Sequence, residues 1–279
     1  VMATYRARVR ARNHVAAFIK SFYKRSDMSM PELTPDFIKE FAAYLSTEAG
    51  LRNGSIWANC MWLKGVVMKA HYNGLIPRNP FIQFHISPNV KEREYLTEDE
   101  LKAVMTHEFA DSKLAYIRDI FIFASFTVLS FVDIQELTND NIVEVNGEKW
   151  ILSKRHKTKV AFQVKLLDIP LQIVERYRPM QKDNRIFPDL NYWSICKPLK
   201  RMIRECGITK SISFHCSRHG FATLALSKGM PIESVSRVLG HTNIVTTQLY
   251  AKITTQKLDN DLTMFGDKLS KTFNGITMS

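Results

Sequence analysis

The stretch 77–95 constrains this chain more than any other part of it. It holds Pro77, Pro80 and Pro88 and closes on the charged run Lys91-Glu92-Arg93-Glu94. Proline has no N–H to give a helix or an inner strand, and it biases the residue before it away from the helical region. The charged run has nothing to bury. No single hydrophobic core is expected to run through such a segment, so the chain is expected to fold as two domains joined by a linker at 88–96. A length of 279 residues, with 45% hydrophobic residues, can supply a core to each.

Ahead of the break, apolar residues follow helical spacing. Val15, Phe18, Ile19 and Phe22 mark one helix, and Phe37, Phe41 and Leu45 mark a second. Pro31-Glu32-Leu33-Thr34 reads as a turn leading into the second helix's N-cap. Ile56, Cys60, Leu63, Val67 and Ala70 mark a third helix, which stops near Asn73-Gly74. Residues 1–87 therefore read as a small helical bundle. The second domain, 97–279, opens at Thr97, an N-cap with Glu100 in the capping-box position. A buried helix is expected over roughly 114–129. Ile142–Val145 and Trp150–Leu152 flank Asn146-Gly147, a strong hairpin signal. Val160, Phe162, Val164 and Leu166 alternate as a third strand would. From Pro170 onward the pattern is helical. The fold class is thus mainly α (α+β), with one small antiparallel sheet in the second domain.

Lys and Arg total 39 against 27 Asp and Glu, a formal net charge of +12. That balance favours a polyanionic partner. Residues 1–25 carry Arg6, Arg8, Arg10, Arg12, Lys20, Lys24 and Arg25 and no acidic residue. A solvated helical face explains such a cluster, and so does a phosphate-binding surface. For Arg6, Arg8, Arg10, Arg12, Lys24 and Arg25 we take the second reading. The four cysteines, Cys60, Cys196, Cys206 and Cys216, show no C-x-x-C spacing. This argues against zinc and disulfides, and free thiols suit a cytoplasmic setting. The apolar run Ile120–Val132, broken by Ser125, Thr127 and Ser130, is too short to span a bilayer, so no membrane partner is expected. The chain opens on Val1 in mid-flow, as a fragment lacking an N-terminal domain would.

Four side chains late in the sequence form an ordered set. His215 and Arg218 stand three apart, His241 closes Leu239-Gly240-His241, and Tyr250 follows nine residues later. Cleaving a phosphodiester requires neutralised charge, a nucleophile and a proton for the leaving oxygen. Arg218 suits the first need, with a planar fork that stays charged. His215 and His241 can donate to phosphate or exchange a proton. A tyrosine hydroxyl titrates near 10, so Tyr250 needs nearby cations or a base to attack. A lone histidine is usually structural, and a lone tyrosine is usually a half-buried aromatic; the ordered set is much harder to obtain by chance.

The order His-x-x-Arg, Leu-Gly-His, tyrosine resembles the tyrosine recombinase (phage integrase) family, and integrases of conjugative transposons and other mobile elements most of all. The resemblance implies a helical core-binding domain and a catalytic domain that clamp double-stranded DNA at a recombination site. It also implies strand exchange by a homo-tetramer through 3′-phosphotyrosyl intermediates, with room for accessory DNA-bending proteins. The phosphotyrosine keeps the bond energy, so neither ATP, a metal nor another cofactor is implied. The family's general acid is a hairpin lysine. Lys157 in Lys157-Thr158 matches it, with Lys154 and Lys159 as competitors, and Lys154 is otherwise a DNA contact. Leu258, Leu262, Phe265 and Leu269 form an apolar stripe in the tail, which packs on its own domain or docks on a neighbouring protomer.

One position departs from the pattern. The family carries an arginine in Thr-Gly-Leu-Arg, with an acid three residues later. Here Thr127-Val128-Leu129-Ser130 puts Ser130 in its place, while Asp133 matches the acid. Arg155 is the candidate substitute, because two residues before Lys157 on an extended strand it would share that lysine's face. Arg118 is a poorer one. The loss of the arginine leaves a non-catalytic DNA-binding protein open as an alternative, beside a type IB topoisomerase-like enzyme and, more weakly, a helix-turn-helix repressor.

Overall fold

Aromatic packing builds the N-terminal part of the molecule. Phe18 on α1 (Met2–Phe22) lies 5.1 Å from Phe37 and 5.5 Å from Phe41 between ring centroids, both on α2 (Pro35–Thr47). Ile56, Cys60, Leu63, Val67 and Ala70 on α3 (Asn53–Tyr72) complete this core. Phe22, the last residue of α1, stays 54% exposed, with the neighbouring Phe18 and Tyr23 rings beside it. Thr34 caps α2 by accepting from Phe37 N at 3.2 Å, with Pro35 in the first turn, where a missing N–H costs nothing. The computed structural model describes residues 2–88, 94–156, 159–181, 183–188, 190–241, 243–250 and 255–274. Contacts divide the chain into two units, 1–92 and 93–279.

The second unit begins with α4 (Glu98–Thr106). Its capping box is complete, with Glu100 N donating to Thr97 Oγ1 and Thr97 N to Glu100. α5 (Ser112–Thr127) is the central helix and is buried on nearly all sides. α6 (Phe131–Gln135) follows at once. Next comes an antiparallel sheet of order β1-β2-β3, formed by β1 (Ile142–Val145), β2 (Glu148–Lys154) and β3 (Ala161–Lys165). Asn146 and Gly147 both take positive φ, 54° and 77°, so a two-residue turn joins Val145 to its partner Glu148. Phe162 and Val164 of the alternating strand are buried. Helices then cover the core: α7 (Asp168–Tyr177), α8 (Tyr192–Glu205), α9 (Cys216–Ser227), α10 (Ile232–Leu239), α11 (Val245–Gln248) and α12 (Thr255–Thr272). Among the described residues no helix is long and apolar enough to cross a membrane. On α12, Leu258, Leu262, Phe265 and Leu269 are all exposed.

The buried helix expected over 114–129 ends earlier, at Thr127. Val128 leaves it in the left-handed region, φ 61°, with its side chain fully buried among Ala222, Leu226, Val235 and Leu239. A β-branched residue rarely adopts this conformation, which costs about 1–3 kcal/mol. Burial of the side chain and capture of the carbonyl over-determine it here.

Candidate active site

The glycine of Leu239-Gly240-His241 ends α10. Gly240 takes φ 67°, its N–H donates to Arg237 O at 2.9 Å, and His241 N donates to Ser236 O at 3.0 Å. This Schellman-type ending requires a residue that tolerates the left-handed region. It turns the chain so that His241 leaves the helix towards α9. His215 is the N-cap of α9, and Arg218 lies in its first turn.

Two arginines meet at two helix C-termini. Arg218 Nη1 donates to Val128 O at 3.1 Å, and its Nη2 donates to Leu239 O. Arg155 Nη1 donates to the same Val128 O at 3.3 Å, and its Nη2 to Val238 O at 3.1 Å. The last carbonyls of a helix have no partner inside it and carry partial negative charge. The ends of α5 and α10 thus hold two guanidinium groups side by side that would otherwise repel. Asp133 anchors the buried Arg155 through Oδ2 at 3.0 Å. It also accepts from Ser130 Oγ at 2.8 Å and from His156 N at 2.9 Å. Burial pushes the Asp133 carboxyl up, but the His156 N–H, the Ser130 hydroxyl and Arg155 outweigh it and hold the group below its ordinary range.

The serine at position 130 therefore has a local task as the N-cap of α6, and Asp133 reaches Arg155 in place of a residue on its own helix. Arg155 sits beside Arg218 as required of a substitute. Its setting differs from the expectation of a shared strand face with Lys157, however. β2 ends at Lys154, and Arg155 closes the turn, its N–H donating to Val160 O at 2.8 Å. It is 7% exposed, stacked 4.2 Å over the Phe162 ring, and its Nε has no acceptor among the described residues. Lys159, at φ 57°, donates its N–H back to Arg155 O at 2.8 Å.

The remaining residues line up as a row of rings. His215 lies 4.9 Å from His219, His219 lies 5.1 Å from Tyr250, and Tyr250 lies 6.5 Å from His241 in a near-parallel stack. Tyr250 is half-buried, and its phenol opposes the lowering of the Arg218 guanidinium. His219, one residue past Arg218 and one helical turn past His215, was not anticipated. Its spacing from His215 was the available signal. The carbonyl of Val128 and the hydroxyl of Thr247, which meets His241 Nδ1 at 2.9 Å, were not anticipated either. Lys157 lies outside the described residues. Lys154 is exposed at the end of β2.

In the first unit Arg6, Arg8, Arg10 and Arg12 are all exposed on α1. At 3.6 residues per turn, Arg6 and Arg10 share one side of the helix and Arg8 and Arg12 the opposite one, so the four do not form a single face. Arg25 is paired with Glu32 at 2.5 Å, and Lys24 Nζ donates to Ser21 O at 2.7 Å. Among the described residues no group of three or more His, Cys, Asp and Glu could hold a metal ion.

Burial draws the Arg218 guanidinium down to about 10, with Arg155 adding to the shift and Tyr250 and Asp133 opposing it. Arg218 still carries its charge at neutral pH. His241 is lowered as well, by burial first and then by Arg218 and Arg155. Its folded-state pKa thus lies under the unfolded value of about 6.5. The unfolded chain takes up this proton first, so the residue's contribution to stability is intact above that value and is lost as pH falls towards the folded pKa. An NMR titration of the His241 ring should give a midpoint under about 6.5; a higher midpoint contradicts the electrostatics described.

Comparison with known proteins adds three findings. Residues 94–257 match the phage integrase family, and residues 1–86 match a phage integrase SAM-like domain. Tyrosine recombinase XerA of Pyrococcus horikoshii is 32% identical over 177 residues, covering 58% of this chain and 58% of the relative, a little over half its length. Tyrosine recombinase XerC of Lactobacillus leichmannii is 25% identical over 77% of each chain. Among solved structures, the Tn1549 transposon integrase in complex with transposon right end DNA superimposes with a TM-score of 0.78 at 16% identity, over 95% of this chain and 94% of that one. A lambda integrase dimer bound to a core site gives 0.65 at 18% identity, over 85% of this chain and 86% of that one. At these identities the structural likeness establishes the fold.

Proposed function

This chain belongs to the phage integrase family, the tyrosine recombinases that cleave and rejoin DNA, and from that premise we propose that it acts as a site-specific recombinase of a mobile element. One observation carries the reading: the ring of Tyr250 lies beside His219 and His241 and near Arg218, in a site where the buried Arg155 and the half-buried Arg218 guanidinium groups converge on one carbonyl. Such fixed positive charge favours a phosphodiester and the extra negative charge of its transition state.

In this reading the Tyr250 oxygen attacks phosphorus and passes its proton to the His215 imidazole, which then donates to the phosphate. The P–O5′ bond breaks, and a 3′-phosphotyrosyl ester forms. Arg218 binds the non-bridging oxygens, and His215 and His241 donate to them. Lys157 protonates the departing 5′ oxygen, and the reverse sequence, with a new 5′ hydroxyl as nucleophile, reseals the strand. Whereas each Nη of the half-buried Arg218 makes a single bond among the described residues, Arg155 is buried and has both hydrogens of Nη1 taken, by Val128 O and Asp133, with Nη2 on Val238 O. It therefore acts as a positive charge behind Arg218 and not as a second fork on the phosphate. Exposed arginines of α1 and Lys154 supply backbone contacts. The exposed stripe of α12 supports assembly as a homo-tetramer on a double-stranded recombination site, with accessory DNA-bending proteins where the site needs bending.

A nicked half-site tests this. Strand release traps the cleaved complex, so a denaturation-resistant protein–DNA adduct should accumulate, and it should do so equally in EDTA because the site's own cations carry the charge. No adduct, or one that needs added Mg²⁺, contradicts the proposal. Lys157 can be tested separately with sulfur at the 5′ bridging position, a leaving group that needs little acid help. Lys157→Ala should be slowed by about 10²–10⁴ on the oxygen substrate, the usual span for general acid catalysis, and near normal on the sulfur one. An equal defect on both assigns the acid elsewhere.

A further inference from the structure

Thr247 is buried with 0% exposure, on the short helix that leads to Tyr250. Its hydroxyl meets one described group, the Nδ1 of His241, at 2.9 Å. Several helical threonines turn their hydroxyls back onto a carbonyl four residues earlier, as Thr127 does onto Phe123 O at 2.7 Å and Thr223 onto His219 O at 3.1 Å. Thr247 makes no such bond.

We infer that Thr247 is a positioning residue for His241, its hydroxyl donating to Nδ1 and so placing the ring proton on Nε2. The inference rests on the recombinase reading for the role of that proton, but the tautomer itself does not depend on it. Donor accounting carries the argument. A threonine hydroxyl has one hydrogen and a neutral imidazole has one N–H. Were the imidazole proton on Nδ1, it would point at the Thr247 oxygen, and the hydroxyl hydrogen would be left without an acceptor in a place water does not reach. Buried donors are rarely left so. With the proton on Nε2 the buried hydroxyl is served, donating to Nδ1, and Nε2–H faces away from Thr247 on a ring that is only partly buried.

The surroundings keep the ring in that state. Burial and the charges of Arg218 and Arg155 favour the neutral imidazole. The His241 backbone is pinned by its bond to Ser236 O, and Thr247 N is pinned to Ile244 O at 2.7 Å. The pair is therefore a fixed strut between the end of α10 and α11. In catalytic terms, Thr247 makes His241 a hydrogen-bond donor towards the phosphate and denies it the role of base towards Tyr250. A histidine ring's second nitrogen commonly sets the tautomer of the first.

The test uses the whole chain with ¹⁵N-labelled histidine, the His241 signals being assigned by comparison with His241→Gln. The free protein should show Nε2 protonated and Nδ1 as a bare acceptor at neutral pH. Thr247→Val keeps the shape and removes the hydroxyl. It should give a mixture of tautomers and slow half-site cleavage by about 10- to 100-fold, the span seen when a partner orienting a histidine is lost. Thr247→Ser should restore both the tautomer and most of the rate. A parent ring protonated on Nδ1 overturns the inference. So does a Thr247→Val protein whose tautomer is unchanged or whose rate stays within about twofold of the parent. Because the ring signals are read without DNA, failure here is distinct from failure of the parent to form a covalent adduct, which would overturn the recombinase reading instead.

Discussion

Tyr250→Phe should abolish the covalent protein–DNA adduct altogether while leaving binding intact. The substitution removes one oxygen and keeps the ring that stacks near His219 and His241. No other described hydroxyl occupies the same place in the row of rings: Thr247 is buried against His241 Nδ1, and Ser130 is held on Asp133. Loss of the nucleophile removes the chemical step itself, so the expected effect exceeds that of losing any one stabilising contact, which is about 10²–10³ in rate. The check is a half-site cleavage assay run beside a gel-shift titration. An adduct retained by the Phe protein would show that another residue attacks. Lost DNA binding would show that Tyr250 holds the fold of the segment and not the nucleophilic oxygen.

The second large effect is expected at Arg155. Arg155→Ala leaves Asp133 buried without its cation, and breaking a buried ion pair in this way costs about 3–5 kcal/mol. It also removes a positive charge next to Arg218, so cleavage at saturating protein should fall by about 10²-fold. Arg155→Lys should fall too, because an ammonium cannot reach Val128 O, Val238 O and Asp133 at once as the fork does. Adding Ser130→Arg to Arg155→Ala should partly restore the rate. The new guanidinium lies three residues before Asp133 and returns both a partner for the acid and a charge for the site. The α6 N-cap is lost in that protein, at about 0.5–2 kcal/mol, so recovery should be incomplete. Urea unfolding beside the cleavage assay separates the two roles. If Arg155→Ala loses stability but cleaves within a few-fold of the parent, the residue is scaffold alone and Arg218 carries the phosphate by itself.

The features of this protein that rest on neighbours along the chain are legible in its residues. Thr97 with Glu100, Thr34 before Phe37, and Asn146-Gly147 between two strands each specify a backbone event within four residues, and residue type is enough to read them. The mainly α class with its small antiparallel sheet follows from the same local signals. So does Gly240, whose positive φ lets Leu239 and His241 take their places. The site's side chains were legible as a set, because His215, Arg218, His241 and Tyr250 keep an order whose chemistry is recognisable. How they are held depends on contacts that form between distant parts of the chain. Arg155 reaches a carbonyl 27 residues back and another 83 residues on, and Arg218 shares the first of these from 90 residues away. These bonds run from side chain to main chain, and every residue has a carbonyl, so the acceptor leaves no mark in the sequence. Val128 illustrates the point: nothing in its side chain announces a left-handed helix end, and its apolar burial hid the role of its oxygen. Arg155 looked like a strand residue facing DNA because alternation along the chain says nothing about a turn that closes one residue earlier. Its place was set by Asp133, Phe162 and the ends of α5 and α10, which meet only when the core has formed.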